Sequence, residues 1–165
     1  MNEKTRLAKI AELIRKIADL RIQLALKSQP QALQPLLRRK AEDLIVKMEG
    51  WGYKVMVHQG FRSIAEQDYL YAQGRTRGGS VVTNAKGGES LHNYGVAFDM
   101  VFISDGKPSW DNRFPWDLLG RAGQELGLEW GGAWKTFVDR PHFQMLQGYT
   151  LGDFQNKRVD YKKFN

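Results

Sequence analysis

The chain has 165 residues, 42% of them apolar and 26% charged, an ordinary globular make-up that excludes disordered, collagen-like and continuous coiled-coil classes. It holds no cysteine, which excludes a disulfide scaffold, a Cys-ligated zinc finger, an iron–sulfur protein and a cysteine nucleophile. The 25 Lys and Arg against 18 Asp and Glu give a net charge of +7 and a pI near 9.7, a balance that favours polyanions such as nucleic acid, anionic lipid or an anionic cell wall.

Charges at Lys4, Arg6, Lys9 and Glu12 interrupt the start of the chain, so no cleavable signal peptide is expected. No uncharged apolar run approaches the roughly 18 residues of a membrane span. Residues 4–28 read as one amphipathic helix, with Leu7, Ile10, Ile14, Ile17 and Leu24 at helical steps and Arg21 interrupting the seam. Lys4, Arg6, Lys9, Arg15, Lys16, Arg21 and Lys27 outnumber Glu3, Glu12 and Asp19 along it. Three readings stay open for this helix: packing on the rest of the chain, contact with another chain, or rest on an anionic envelope surface. Pro30 disfavours helical geometry at Gln29, which divides the chain into a basic helix over 1–30 and a second unit over 31–165.

Within that unit a helix is predicted from Pro35 to Glu49, ended by Gly50 and Gly52. Tyr53 to His58 alternates and is rich in β-formers, so it reads as a strand. Ser63 to Gln73 reads as a helix, with Ser63 and Glu66 spaced as a capping box. Gly74 to Glu89 reads as a long irregular loop, which in a compact domain points to function. Gly95 to Ile103 is a predicted strand, Trp116 to Leu126 a helix closed at Gly127, and His142 to Leu146 a further strand. The tail from Lys157 to Asn165 reads as a solvated basic end. Helices and short strands without a regular β-α-β rhythm predict an α+β fold.

Chemistry concentrates in two stretches. Asp99 lies inside an apolar strand, where a buried carboxylate costs several kcal/mol unless a cation compensates it. A turn over Asn93–Gly95 can fold His92 back over it. Pro141 makes a helix through Arg140 unfavourable, so Asp139 and His142 belong to a turn entering a strand, not to the helical pair of an H-E-x-x-H site. Two His and one Asp suit zinc with an open position, and Asp139 beside them is placed to take a proton from water. Arg62, at a strand-to-helix junction, is a candidate for holding a carboxylate or an oxyanion. Each piece also has a plain structural reading: a hydrogen-bonded buried acid for Asp99, a turn cap for Asp139, a packed histidine at either end. His58 is read as a rim residue, Trp130 and Trp134 as packing or a cleft wall, and Arg75, Arg77 and Lys86 as solvated charges or contacts for substrate carboxylates.

Ser90-x-His92-x-x-Gly95-x-Ala97-x-Asp99 followed by Asp139-x-x-His142 resembles the zinc signature of the M15 peptidases. That family includes D-alanyl-D-alanine carboxypeptidases and dipeptidases, and the L-alanyl-D-glutamate endopeptidases of bacteria and phages. Gly60-Phe61-Arg62-Ser63, Glu66-Gln67, Tyr71-x-Gln73-Gly74-Arg75-Thr76, Glu129-Trp130-Gly131-Gly132, Trp134-Lys135 and Phe137 resemble the endopeptidase branch, so the likeness spans residues 36–146. It implies the small fold shared with the hedgehog signalling domain. It implies zinc held by His92, Asp99 and His142, with Asp139 as general base and then acid, and Arg62 stabilising the substrate or the tetrahedral intermediate. The substrate it implies is the peptidoglycan stem peptide, cut at L-Ala–D-Glu by a monomeric lysin of the phage endolysin type. Such an enzyme is expected to be made in the cytoplasm and to reach the wall after release. Ala133 departs from the polar residue expected between Gly132 and Trp134, which puts in doubt any polar contact relatives make there. Two neighbouring readings remain, a D-alanyl-D-alanine carboxypeptidase and a non-catalytic binder of wall fragments. A nucleic-acid binder is disfavoured, because the sequence carries no recognised nucleic-acid motif.

Overall fold

The computed structural model describes Thr5, Arg6, Lys9 and residues 33–165. The predicted helix over 4–28, and with it the division at residue 30, lies outside the described residues apart from those three positions.

Helix α1 (Pro35–Gly50) starts with proline in its first turn, where the missing N–H costs nothing. It buries Leu37, Ala41, Leu44 and Met48, a 3.6-residue stripe, against the sheet. Leu33 is buried ahead of it, and the Gln34 N–H donates to the Gly95 carbonyl at 2.9 Å, tying the helix entry to the site region. Strand β1 (Val55–Gln59) follows, then α2 (Ile64–Ala72). The Ser63 hydroxyl caps α2 by accepting from the Glu66 N–H at 3.1 Å, one half of the predicted box. The long loop then runs to a 3-10 turn (Leu91–Tyr94) that Gly95 closes at φ 68°, a left-handed conformation glycine adopts without strain. Strand β2 (Ala97–Ser104), β3 (Lys107–Ser109), α3 (Trp116–Glu125), β4 (Glu129–Trp130), a 3-10 turn (Gly131–Ala133), β5 (His142–Gln144) and α4 (Leu151–Gln155) complete the order, with a final 3-10 turn (Tyr161–Phe164).

The sheet runs β1-β2-β5-β4, with β3 paired to β2, and every pairing is antiparallel. Its register places Asp99 opposite His142, Phe98 opposite Phe143, and Gln144 opposite both Ala97 and Glu129. One face is apolar. Phe98 and Phe143 stack at 5.5 Å, and Phe102 stacks on Phe114 at 4.6 Å. α3 reaches this layer closely because Gly123 and Gly120 leave room for rings. A Cβ on Gly123 would run into the Phe143 ring, and one on Gly120 into the Trp130 ring. A Lys47–Glu125 ion pair joins α1 to α3.

The α+β expectation holds, and α1, β1, α2, β2, α3 and β5 stand close to their predicted places. The C-terminal tail does not. Phe164 is fully buried and its ring lies 6.1 Å from that of Phe154, so the last residues fold back and seal one end of the core. Most of the other tail residues, Tyr161 and the lysines among them, remain exposed.

Candidate metal centre

β2 and β5 carry Asp99 and His142 in register, so their side chains project from the same face of the sheet. The 3-10 turn ahead of β2 brings His92 to the same point. His142 Nδ1 lies 3.2 Å and His92 Nε2 3.4 Å from Asp99 Oδ1, with the two imidazoles 5.2 Å apart. One donor atom from each of the three residues falls within 4.8 Å of the others, and no second cluster of this kind occurs among the described residues. Both histidines are buried. His92 Nδ1 donates to the Gly60 carbonyl at 2.7 Å, which turns Nε2 toward Asp99. His142 Nε2 faces the Gln144 Oε1 at 3.1 Å.

These residues fit zinc. Two imidazole nitrogens and one carboxylate oxygen are its preferred donors in catalytic sites, where three protein ligands leave a position open. The second nitrogen of each imidazole is already engaged, which is how metal-ligating histidines are oriented. Charge tells the same story. Burial pushes the Asp99 carboxyl up, but His92 and the hydrogen bond from His142 outweigh it and hold the group far below the usual carboxylate range. Burial pushes His142 down, and its bond to Asp99 reverses that and raises it.

Asp139 sits in the turn before β5. Its N–H donates to the Gly131 carbonyl at 3.0 Å, and its own carbonyl accepts from the His142 N–H at 3.2 Å. Glycine at 131 is required, since a Cβ there would lie 2.6 Å from the Asp139 carbonyl oxygen. Burial raises the Asp139 carboxyl above its ordinary value, the Asp99 charge adds to this, and the two histidines oppose it. Arg62 is buried at 8% exposure. Its Nη1 donates to Gln67 Oε1 at 2.6 Å, its Nη2 donates to Gln59, and Nη2 lies 4.0 Å from Asp99 Oδ2. Its Nε is buried without a partner. Burial lowers the guanidinium somewhat against the pull of Asp99 and Glu66. All five residues predicted for the site therefore meet in one place.

They open onto a cavity of about 820 Å³, walled by the long loop at Val82–Ala85, by Trp110, and by Trp134 and Phe137. Trp134 stands 5.2 Å from the His142 ring, while Trp130 is buried with its Nε1 donating to the Arg140 carbonyl, so the two tryptophans divide between cleft wall and core. His58 lies at the rim, edge-on to Trp110 at 4.8 Å. A second groove of about 360 Å³ shares Trp110 and Asp139 with the first and continues past Val138 and Pro141. Arg75 and Arg77 turn back on their own segment, over Tyr71 and Tyr69 respectively, and Arg75 also donates to the Thr83 carbonyl. Ala133 lies exposed on its turn. Sequence reasoning missed the roles of Gln59, Gln67, Glu129 and Gln144. Gln67 is fully buried and spans Arg62 to the loop, donating to the Ala85 carbonyl at 2.8 Å.

A buried His–Asp–His cluster facing an open cleft, with a carboxylate alongside, is the arrangement of a catalytic metal site and not of a closed structural one. Residues 83–145 match the family model described as D-alanyl-D-alanine carboxypeptidase, of the M15 peptidases. The chain is 41% identical over 126 residues to the peptidoglycan L-alanyl-D-glutamate endopeptidase CwlK of Bacillus subtilis (strain 168), covering 71% of this chain and 75% of that protein. Among solved structures it resembles the L,D-carboxypeptidase DacB from Streptococcus pneumoniae, with a TM-score of 0.55 and 21% identity over 81% of this chain and 76% of that one. It also resembles the vancomycin resistance D,D-pentapeptidase VanY, solved with Zn(II), with a TM-score of 0.50 and 17% identity over 76% of this chain and 79% of that one. The chain belongs to the M15 peptidase family, whose members are zinc-dependent metallopeptidases.

Proposed function

We propose that this chain is a zinc-dependent endopeptidase that cleaves the L-Ala–D-Glu bond of the peptidoglycan stem peptide. The observation that carries the reading is Asp139 lining one cavity together with His92, Asp99 and His142, while a second groove shares Asp139 and Trp110 with it. An endopeptidase must seat chain on both sides of the bond it cuts. The identity with CwlK supports this choice of bond over the terminal D-Ala of a carboxypeptidase.

His92 through Nε2, Asp99 through its carboxylate and His142 through Nδ1 would hold the metal, and zinc there would supply a Lewis acid that makes water a better nucleophile at neutral pH. The chain's own residues do the rest. Asp139 takes the proton from the attacking water on its carboxylate and returns it to the leaving amine, a task its raised, buried carboxyl suits. Arg62, held by Gln59 and Gln67, keeps a positive charge next to the site and stabilises the oxygen on which negative charge develops. Trp134 and Phe137 wall the cleft and limit water around the reacting bond. The net positive charge suits an anionic envelope and fits a lysin of the endolysin type, made in the cytoplasm and acting on the wall after release.

The test is digestion of purified peptidoglycan by zinc-loaded protein, chelated protein and the Asp139→Ala variant. New D-Glu amino ends and L-Ala carboxyl ends are expected only with the zinc-loaded native protein. Release of D-Ala instead would assign the carboxypeptidase specificity. Zinc binding without any cleavage would leave a binder of wall fragments.

A further inference from the structure

His142 is held from both sides, and the groups behind it decide which nitrogen it can offer. β5 places His142 and Gln144 two residues apart, on the same face of the strand, and β4 sets Glu129 directly opposite Gln144. Gln144 Nε2 donates to Glu129 Oε2 at 2.8 Å, and Gln144 Oε1 lies 3.1 Å from His142 Nε2. Gln144 is buried, at 7% exposure.

The donor and acceptor inventory leaves one arrangement. An ionised carboxylate only accepts, so Glu129 takes the NH₂ end of the Gln144 amide. The oxygen end must then face His142. An oxygen there only accepts, so His142 Nε2 must carry a proton. Nδ1, 3.2 Å from Asp99 Oδ1, is then the nitrogen whose proton a metal can replace while Nε2 keeps its own. Without Glu129 the amide is free to turn over. Its NH₂ would then face Nε2 and favour a lone pair there, so that the single proton of the neutral imidazole stays on Nδ1, between Asp99 and the place a metal would take. We propose that Glu129 and Gln144 are positioning residues that lock His142 with Nε2 protonated and Nδ1 available to the metal. Outer partners of this kind are worth about 10–100-fold in metal affinity. The inference rests on the reading of His142 as a ligand.

Zinc affinity, measured by competition with a chromophoric chelator on the full chain, tests it without recourse to activity. Gln144→Leu removes the acceptor and is expected to weaken zinc binding about 10–100-fold. Glu129→Gln, at an exposed position, is expected to weaken it in the same direction by less. The E129Q/Q144E double variant rebuilds the relay with the charge moved one residue, since a carboxylate at 144 accepts from both the His142 N–H and the amide at 129. It is expected to bind zinc near the native affinity. In the zinc-loaded native protein, a slowly exchanging His142 Nε2 proton is expected by ¹H–¹⁵N NMR, and it should be lost in Q144L. Thermal melting of the metal-free variants separates misfolding from a local effect, and E129Q with the double variant carries the test if Q144L fails to fold. Native zinc affinity in E129Q together with a double variant no tighter than E129Q would overturn the proposal. So would native affinity in a folded Q144L. His142→Ala is the control for the underlying reading: if it too binds zinc natively, His142 is not a ligand, whereas loss in H142A with native binding in Q144L sinks the positioning role alone.

Discussion

Asp139 and Asp99 are two carboxylates in one site with opposite fates. The histidines on either side of Asp99 hold it ionised, while burial and the Asp99 charge push Asp139 up. That separation supports the proposed division, with one holding a cation and the other moving a proton. Asp139→Asn keeps the shape of the turn, including the backbone bonds to Gly131 and His142, and removes only the base. Hydrolysis of a stem peptide should fall by at least about 100-fold, while zinc affinity stays near native. Parallel loss of zinc would instead make Asp139 a ligand. The meeting of His92, Asp99 and His142 was legible in the sequence for physical reasons: a carboxylate breaking an apolar strand, and a His–turn–strand junction whose period-two alternation fixes the face. Gln67, Gln144 and Glu129 were not. A glutamine carries no charge or spacing signature, and its role exists only through the neighbours that the register β1-β2-β5-β4 supplies.

The elements hold the site through close approach. Gly123 lies in the last turn of α3, where alanine would favour the helix by up to about 1 kcal/mol. The space decides otherwise, since the added Cβ would strike the Phe143 ring. Overpacking of this kind costs about 1–3 kcal/mol, and Phe143 is next to His142 on β5 and stacked on Phe98 beside Asp99. Gly123→Ala should therefore destabilise the protein in urea and weaken zinc binding, and a stabilised variant would show that α3 can retreat. The last turn poses a sharper test. Phe164→Ala should cost about 3–5 kcal/mol of unfolding free energy if the ring seals the core, against at most about 0.5 kcal/mol for a solvated tail. This tail escaped the sequence reading because Lys157, Arg158, Lys162 and Lys163 mask two aromatics, Tyr161 and Phe164, that pack on each other and on Phe154, with Phe164 also stacked on Tyr149. The long helices and β2 were legible because their periodicity spans many residues. β4, with two residues, is too short to show a period, whereas β3 had a cue in Asp105-Gly106, the hairpin dipeptide, both residues at positive φ.

At the scale of the whole molecule, charge and catalysis are carried by different parts of the chain. The chemistry lies between Arg62 and His142, and the excess of lysine and arginine is densest before residue 28. Leu33 and Gln34 already anchor the peptidase unit, through burial and the bond to Gly95, so removal of residues 1–28 leaves those contacts in place. Each basic side chain near an anionic surface contributes about 1 kcal/mol of attraction at low salt, and that attraction is screened as ionic strength rises. If the first segment serves the envelope, its deletion should leave hydrolysis of purified peptidoglycan near native. Lysis of intact cells should drop tenfold or more at low salt, roughly the weight of one or two basic residues. The gap between the two proteins should close as salt is added, because the full chain then loses the advantage the deletion removed. An equal loss in both assays, insensitive to salt, would assign residues 1–28 to packing on the peptidase unit, and the charge would then be incidental to where the enzyme acts.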